Sequence, residues 1–86
     1  MSADIRMYSS QWCPFCIQAK RLLESKQVSF KEIIVDGDPT LRAQMMQESG
    51  RHTVPQIWIN GEHIGGCDEL YTLERNQKLD SLLTEA

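Results

Sequence analysis

Before residue 36 the chain changes hydrophobic period twice, and that order leaves few folds open. "DIRMY" (Asp4 to Tyr8) alternates polar and apolar residues, as a strand does. From Pro14 onward, Ile17, Ala19, Leu22 and Leu23 recur at helical spacing, while Lys20, Arg21 and Glu24 are left for solvent. "VSFKEIIV" (Val28 to Val35) is β-branched and partly alternating, and reads as a second strand. A strand, a helix and a strand this close together make a βαβ unit with parallel strands. At 86 residues the chain has room for one domain, so residues 1–86 are expected to form a single unit with a small core.

The rest of the chain extends this unit. Asp38 can cap, Pro39 can open and Gly50 can close a second helix, with Leu41, Met45 and Met46 as its inner stripe. In "PQIWINGEHIGG", Asn60-Gly61 between apolar alternations is a two-residue hairpin signal, which makes Gln56–Ile59 and Glu62–Gly65 its strands. "CDELYTLERNQKLDSLL" then reads as one or two short helices, with Leu70, Leu73, Leu79, Leu82 and Leu83 facing inward. The order β-α-β-α-β-β-α predicts an α/β fold: a four-stranded mixed sheet with helices packed on it.

Charge and composition narrow the function. Nine Lys and Arg against twelve Asp and Glu give a formal charge of −3, and the basic residues form no run. A nucleic-acid partner would call for a basic patch, so none is expected. No stretch approaches the length a membrane helix needs, and "MSADIRMYSS" lacks the basic head and apolar run of a secretory signal. Three cysteines, an odd number, fit poorly with a disulfide scaffold. A reducing, cytoplasmic setting is expected, where a C-x-x-C is more often catalytic or metal-binding than structural.

Cys13 and Cys16, in "WCPFCIQAK", carry the chemistry. A structural zinc site needs four ligands. Beyond this pair only Cys67, His52 and His63 are soft candidates, so no metal is expected. Covalent haem needs histidine after the second cysteine, and Ile17 stands there. Two inert packing cysteines would leave the intervening Pro14-Phe15 at a helix start unexplained. A redox pair fits better. Pro14 suits the first helical position, which puts Cys13 at the N-cap. First-turn N–H groups would then point at its sulfur and favour the nucleophilic thiolate. Cys16, one turn in, would be buried and protonated: Cys13 attacks and Cys16 resolves.

"CPFC" after a strand, "TVPQIWI" (Thr53 to Ile59) and "GGCDEL" (Gly65 to Leu70), in this order and spacing, resemble a bacterial dithiol glutaredoxin. The resemblance covers nearly the whole chain. It implies a thioredoxin-like fold, glutathione as electron donor, and a monomer acting on disulfide-containing or glutathionylated proteins. It also implies a glutathione groove. The backbone of Val54, with Thr53 before it, would pair with the tripeptide like an added strand. The Val54–Pro55 bond would be cis. The γ-glutamyl carboxylate would sit on the N–H groups of Cys67 and Asp68, after Gly66, at a helix start. The Asp68 carboxylate would take the amine, Arg51 and Gln56 are candidates for the glycine carboxylate, and Phe15 would wall the groove. The family commonly carries Lys where this chain has Ser10.

Two alternatives follow from the same resemblance. One is a module holding a [2Fe–2S] cluster between two chains through Cys13 and glutathione, against which Pro14 argues by stiffening the loop. The other is a redoxin recharged by thioredoxin reductase. Other residues have plainer readings. Cys67 is either a third redox thiol, open to glutathionylation, or a small residue at a tight helix start; His63 is a solvated strand histidine, and Lys20-Arg21 a solvated face. His52 precedes the Thr53–Pro55 loop. Trp58 belongs to the core or the outer face. Trp12 either meets protein partners or shields the rim of the motif.

Overall fold

The computed structural model describes residues 3–84. Its elements are β1 (Ile5–Ser9), α1 (Pro14–Ser25), β2 (Lys31–Ile34), α2 (Pro39–Ser49), β3 (Gln56–Ile59), β4 (Glu62–Gly65), α3 (Cys67–Arg75) and α4 (Leu79–Thr84). The strands form one sheet in the order β2-β1-β3-β4. β1 and β2 run parallel, as the βαβ reading requires, and the two other neighbouring pairs are antiparallel. The C-terminal segment resolves into two helices, one more than the β-α-β-α-β-β-α order gave.

Period-2 alternation on β1 and β3 divides the core in two. Ile5, Met7, Ile57 and Ile59 face α1, α3 and α4, where Ala19, Leu22, Leu23, Leu70, Leu79 and Leu83 meet them. Tyr8 and Trp58 face the other way and pack with Val35 and Met45 of the α2 side. With helices on both faces, β3 is buried at all four positions and β1 at four of its five. β2 is shorter than the expected Val28–Val35, because pairing with β1 begins at Arg6↔Lys31. Val28 and Phe30 still pack against the main cluster as partly buried residues.

Local chemistry sets the boundaries. Asp38 accepts from the Leu41 N–H at 3.0 Å and opens α2 ahead of Pro39, and Gly50, at φ 72°, closes it. Asn60 and Gly61 both have positive φ, 53° and 83°, as a two-residue hairpin of this type demands. The apolar stripe of α1 differs from expectation at one position. Cys16, Ala19 and Leu23, at i, i+3 and i+7, line the buried face, and Ile17 sits outside it, 40% exposed. Met46 is likewise exposed, next to the buried Met45.

This contrast gives a stability test on one helix. Leu23 is fully buried, so Leu23→Ala is expected to lower the unfolding free energy by about 2–5 kcal/mol in denaturant titration. Ile17→Ala should stay within about 0.5 kcal/mol of the parent, the usual range for an exposed site.

Candidate active site

Cys13 is the N-cap of α1, in extended conformation at φ −95° and ψ 114°. Its Sγ accepts from the Cys16 N–H at 3.3 Å, which occupies one of the first-turn donors that no carbonyl of the helix can reach. As a thiol it donates to the Val54 carbonyl, 3.6 Å away. Cys13 is half-buried, Cys16 fully buried, and all three cysteines are free. Burial pushes the Cys16 thiol up to about 12, an effect the neighbouring Cys13 adds to. The two sulfurs therefore sit in unlike environments one turn apart.

Beside Cys13 runs a groove of about 280 Å³, lined by Phe15, Arg51, Thr53, Val54, Pro55, Gly66, Cys67, Asp68 and Glu69. One wall is the loop before β3, where the Val54–Pro55 bond is cis. The facing wall is the start of α3. Gly66 lets the two approach, and Gly65 leaves room for Glu69. A Cβ at Gly65, whose φ is +119°, would lie 2.5 Å from Glu69 Oε1, and one at Gly66 would lie 3.2 Å from the Pro55 carbonyl oxygen. Glu69 holds this end together: Oε1 accepts from the Gly66 N–H at 2.6 Å and from Arg51 Nη1 at 3.0 Å. The Gly66 N–H, with help from Arg51, keeps the Glu69 carboxyl below the ordinary carboxylate range.

The glutaredoxin family model matches residues 5–64, and so takes in both cysteines and the Val54–Pro55 loop. The chain belongs to the glutaredoxin family. It is 55% identical over 78 residues to a glutaredoxin of Pseudomonas aeruginosa, covering 91% of this chain and 93% of that protein. It is 51% identical over 81 residues to glutaredoxin 3 of Escherichia coli K12, covering 94% and 98%. Among solved structures, a buckwheat glutaredoxin–glutathione complex matches with a TM-score of 0.88 at 30% identity, over 95% of this chain and 77% of that one. Glutaredoxins have the thioredoxin-like fold and are glutathione-dependent disulfide oxidoreductases, and this chain carries that fold and that class of activity.

Of the residues the glutaredoxin resemblance pointed to, Phe15, Arg51, Thr53, Val54, Pro55, Gly66, Cys67 and Asp68 gather around the groove. Gln56 does not line it. Its side chain is fully buried behind the loop, where Nε2 donates to the Thr53 carbonyl at 3.0 Å and to Thr53 Oγ1 at 3.2 Å. Gln56 Oε1 lies 2.8 Å from His63 Nε2, which places the ring proton on that nitrogen. A half-buried His63 thus stands behind Gln56, and Gln56 behind Thr53, instead of the solvated histidine expected on β4. Arg51 spends part of its donor capacity on Glu69, and Arg42 Nη1 steadies the same loop from the His52 carbonyl at 3.3 Å.

Sequence reasoning missed Glu69, although its signal was present: a carboxylate three residues after a helix-capping position is the capping-box spacing. Cys67 is buried, and burial first, then Asp68, raises its thiol above the ordinary range. Trp12 is 86% exposed next to Cys13. Among the described residues no group of three His, Cys, Asp or Glu side chains is arranged to hold a metal ion, and no helix is long and apolar enough to cross a membrane.

Iodoacetamide near neutral pH is expected to modify Cys13 and to spare Cys16 and Cys67 until the chain unfolds, as peptide mapping of the labelled protein will read. The Cys16 thiol also predicts a pH effect on stability. A folded-state value raised from 9.0 to about 12 favours the folded protein while the thiol is protonated, and that advantage is lost as pH rises through this window. The stability difference between the parent and Cys16→Ser should therefore change between these pH values and stay level below them.

Proposed function

We propose that this chain reduces protein disulfides and protein–glutathione mixed disulfides in the cytoplasm, with Cys13 as nucleophile, Cys16 as resolving thiol and glutathione as the final donor. The observation that carries the reading is the asymmetry of the cysteine pair: a half-exposed sulfur accepting a helix N–H, and one turn away a buried thiol with its proton held. The Cys13 thiolate attacks a substrate disulfide, one substrate sulfur leaves as thiolate, and a mixed disulfide forms on Cys13. Where the substrate is a protein disulfide, Cys16 then attacks Cys13 Sγ and releases the second substrate thiol. Two molecules of glutathione reduce the resulting Cys13–Cys16 bond and leave as glutathione disulfide. Where the substrate is glutathionylated, Cys13 takes up the glutathionyl group and a second glutathione removes it.

The groove supports glutathione as the donor. The Val54 backbone offers an edge for pairing beside the Cys13 sulfur. The first-turn N–H groups of α3 form an anion site for the γ-glutamyl carboxylate, with Asp68 beside them for the amine. Arg51 supplies the cation for the glycine carboxylate. The buckwheat glutaredoxin of the same fold forms a complex with glutathione, which supports the same assignment. Gln56 acts here as a support of Thr53 and not as a contact.

A glutathione-coupled disulfide reduction assay tests the scheme. Cys13→Ser should abolish every activity. Cys16→Ser should keep removal of glutathione from a glutathionylated protein while losing two-thiol reduction of protein disulfides; equal loss of both would overturn the division of labour.

Asp68→Ala removes a charge-assisted hydrogen bond of roughly 1.5–3 kcal/mol. The apparent affinity for glutathione should fall by about tenfold or more. Unchanged glutathione dependence of the rate would show that the bound orientation is wrong.

A further inference from the structure

Thr53 is exposed on the groove wall, and among the described residues both of its hydrogen bonds go to the buried amide of Gln56. Their direction is fixed. A carbonyl oxygen only accepts, so the end of Gln56 that meets the Thr53 carbonyl is the NH2 group, and the other end is the oxygen that faces His63 Nε2 at 2.8 Å. His63 Nε2 therefore donates, from a ring packed on Trp58 with centres 4.8 Å apart. The pull on the Thr53 carbonyl reaches one residue further. The Thr53–Val54 peptide is trans, so its C=O and N–H point in opposite directions. With the carbonyl drawn inward to Gln56, the Val54 N–H points away from the buried amide, and it has no partner among the described residues. The Val54 carbonyl accepts from Cys13 Sγ at 3.6 Å. An open backbone donor thus stands on the same residue as the acceptor that faces the nucleophile.

We propose that Gln56 and His63 are positioning residues for glutathione: by drawing the Thr53 carbonyl inward they hold the Val54 N–H toward the groove, where it meets a backbone carbonyl of the tripeptide. The role rests on the pairing of glutathione with Val54 put forward above. Neither residue touches glutathione or a reacting sulfur, and no bond exchange passes through them. What they set is the concentration of glutathione that fills the groove. The series is graded. Gln56 holds the peptide unit directly, and His63 acts only through Gln56, since without the ring donor the Gln56 oxygen is left buried and unpaired, which loosens the amide.

NMR titration of the isotope-labelled, reduced protein with S-methylglutathione, which cannot form a disulfide, reads binding without chemistry. The Val54 amide resonance should move in the parent. Gln56→Met keeps the length of the side chain and removes its polar atoms, and should weaken binding by about tenfold, the order for a buried partner lost. His63→Phe keeps a ring against Trp58 without the donor and should weaken binding less. His63→Gln restores a donor and should recover part of that loss. The double variant should bind no more weakly than Gln56→Met alone, since His63 acts through Gln56. In the coupled assay the glutathione concentration for half-maximal rate should rise in step, while the maximal rate and the alkylation of Cys13 by iodoacetamide stay near the parent. Unchanged binding in Gln56→Met, with the Val54 amide moving in the parent, overturns the proposal. So does a fall in maximal rate and in Cys13 alkylation equal to the loss of binding, which would make the series a general support of the fold. If Gln56→Met fails to fold, His63→Phe against His63→Gln carries the same test. A Val54 amide that does not respond in the parent would overturn the pairing at Val54 itself, and the proposal with it.

Discussion

The catalytic end of the molecule depends on β1 being buried on both faces. Met7, Tyr8 and Ser9 have almost no exposed surface. Ile5 and Met7 are held by the helices of one layer, and Tyr8 by Trp58 and the α2 side. A strand fixed in this way has a fixed C-terminal end, and α1 starts five residues beyond it with Cys13 as cap. Because β3 runs antiparallel to β1, the start of β3 lies at that same end. The Val54–Pro55 loop, which leads into β3, is thereby delivered to the Cys13 sulfur across 41 residues of sequence. The meeting of nucleophile and groove is thus a consequence of strand direction, with side chains refining it.

Those refinements come from behind the surfaces that meet a ligand. Thr53 is held by Gln56 and Gln56 by His63, a neutral series that runs from the β3–β4 hairpin to the groove wall. The opposite wall relies on charge, through Glu69 between the Gly66 N–H and Arg51. Isolated exposed ion pairs are worth little. Here the pair is tied to a backbone donor at a helix start, so its value is chiefly geometric: it sets where the α3 terminus sits against Pro55.

Much of this was legible because it is local. Pro14 after Cys13, Asp38-Pro39 with Gly50, and Asn60-Gly61 act within a few residues, and each marks an element boundary. The motifs "TVPQ" and "GGCD" likewise identify the two walls. What a sequence leaves open is which side of a residue the rest of the fold covers. Ile17 has spacing compatible with an inner stripe, but Cys16 occupies the inward position, so its neighbour turns to solvent. Gln56 alternates correctly with Ile57, yet only the packing of β4 shows that its amide is used inside. His63 next to a buried partner reads like any strand histidine, and the partner is seven residues away across a hairpin. The hydroxyl of Ser10 finds Asp36 across 26 residues, a pairing no periodicity encodes.

The two tryptophans divide between the regions that matter most. Trp58 is almost fully buried, edge-on to Tyr8 at 5.6 Å with the Arg6 guanidinium 4.6 Å from its ring centre, while Trp12 is 86% in solvent beside the nucleophile. Their indoles therefore report different events in one fluorescence spectrum. The buried ring emits from an apolar, polarised setting and reports whether the sheet and its helices are assembled. The exposed ring emits from water, one residue before Cys13 in the chain, and reports what happens at the sulfur. Each can be silenced by Phe replacement, so folding and redox state can be followed separately without attaching a dye.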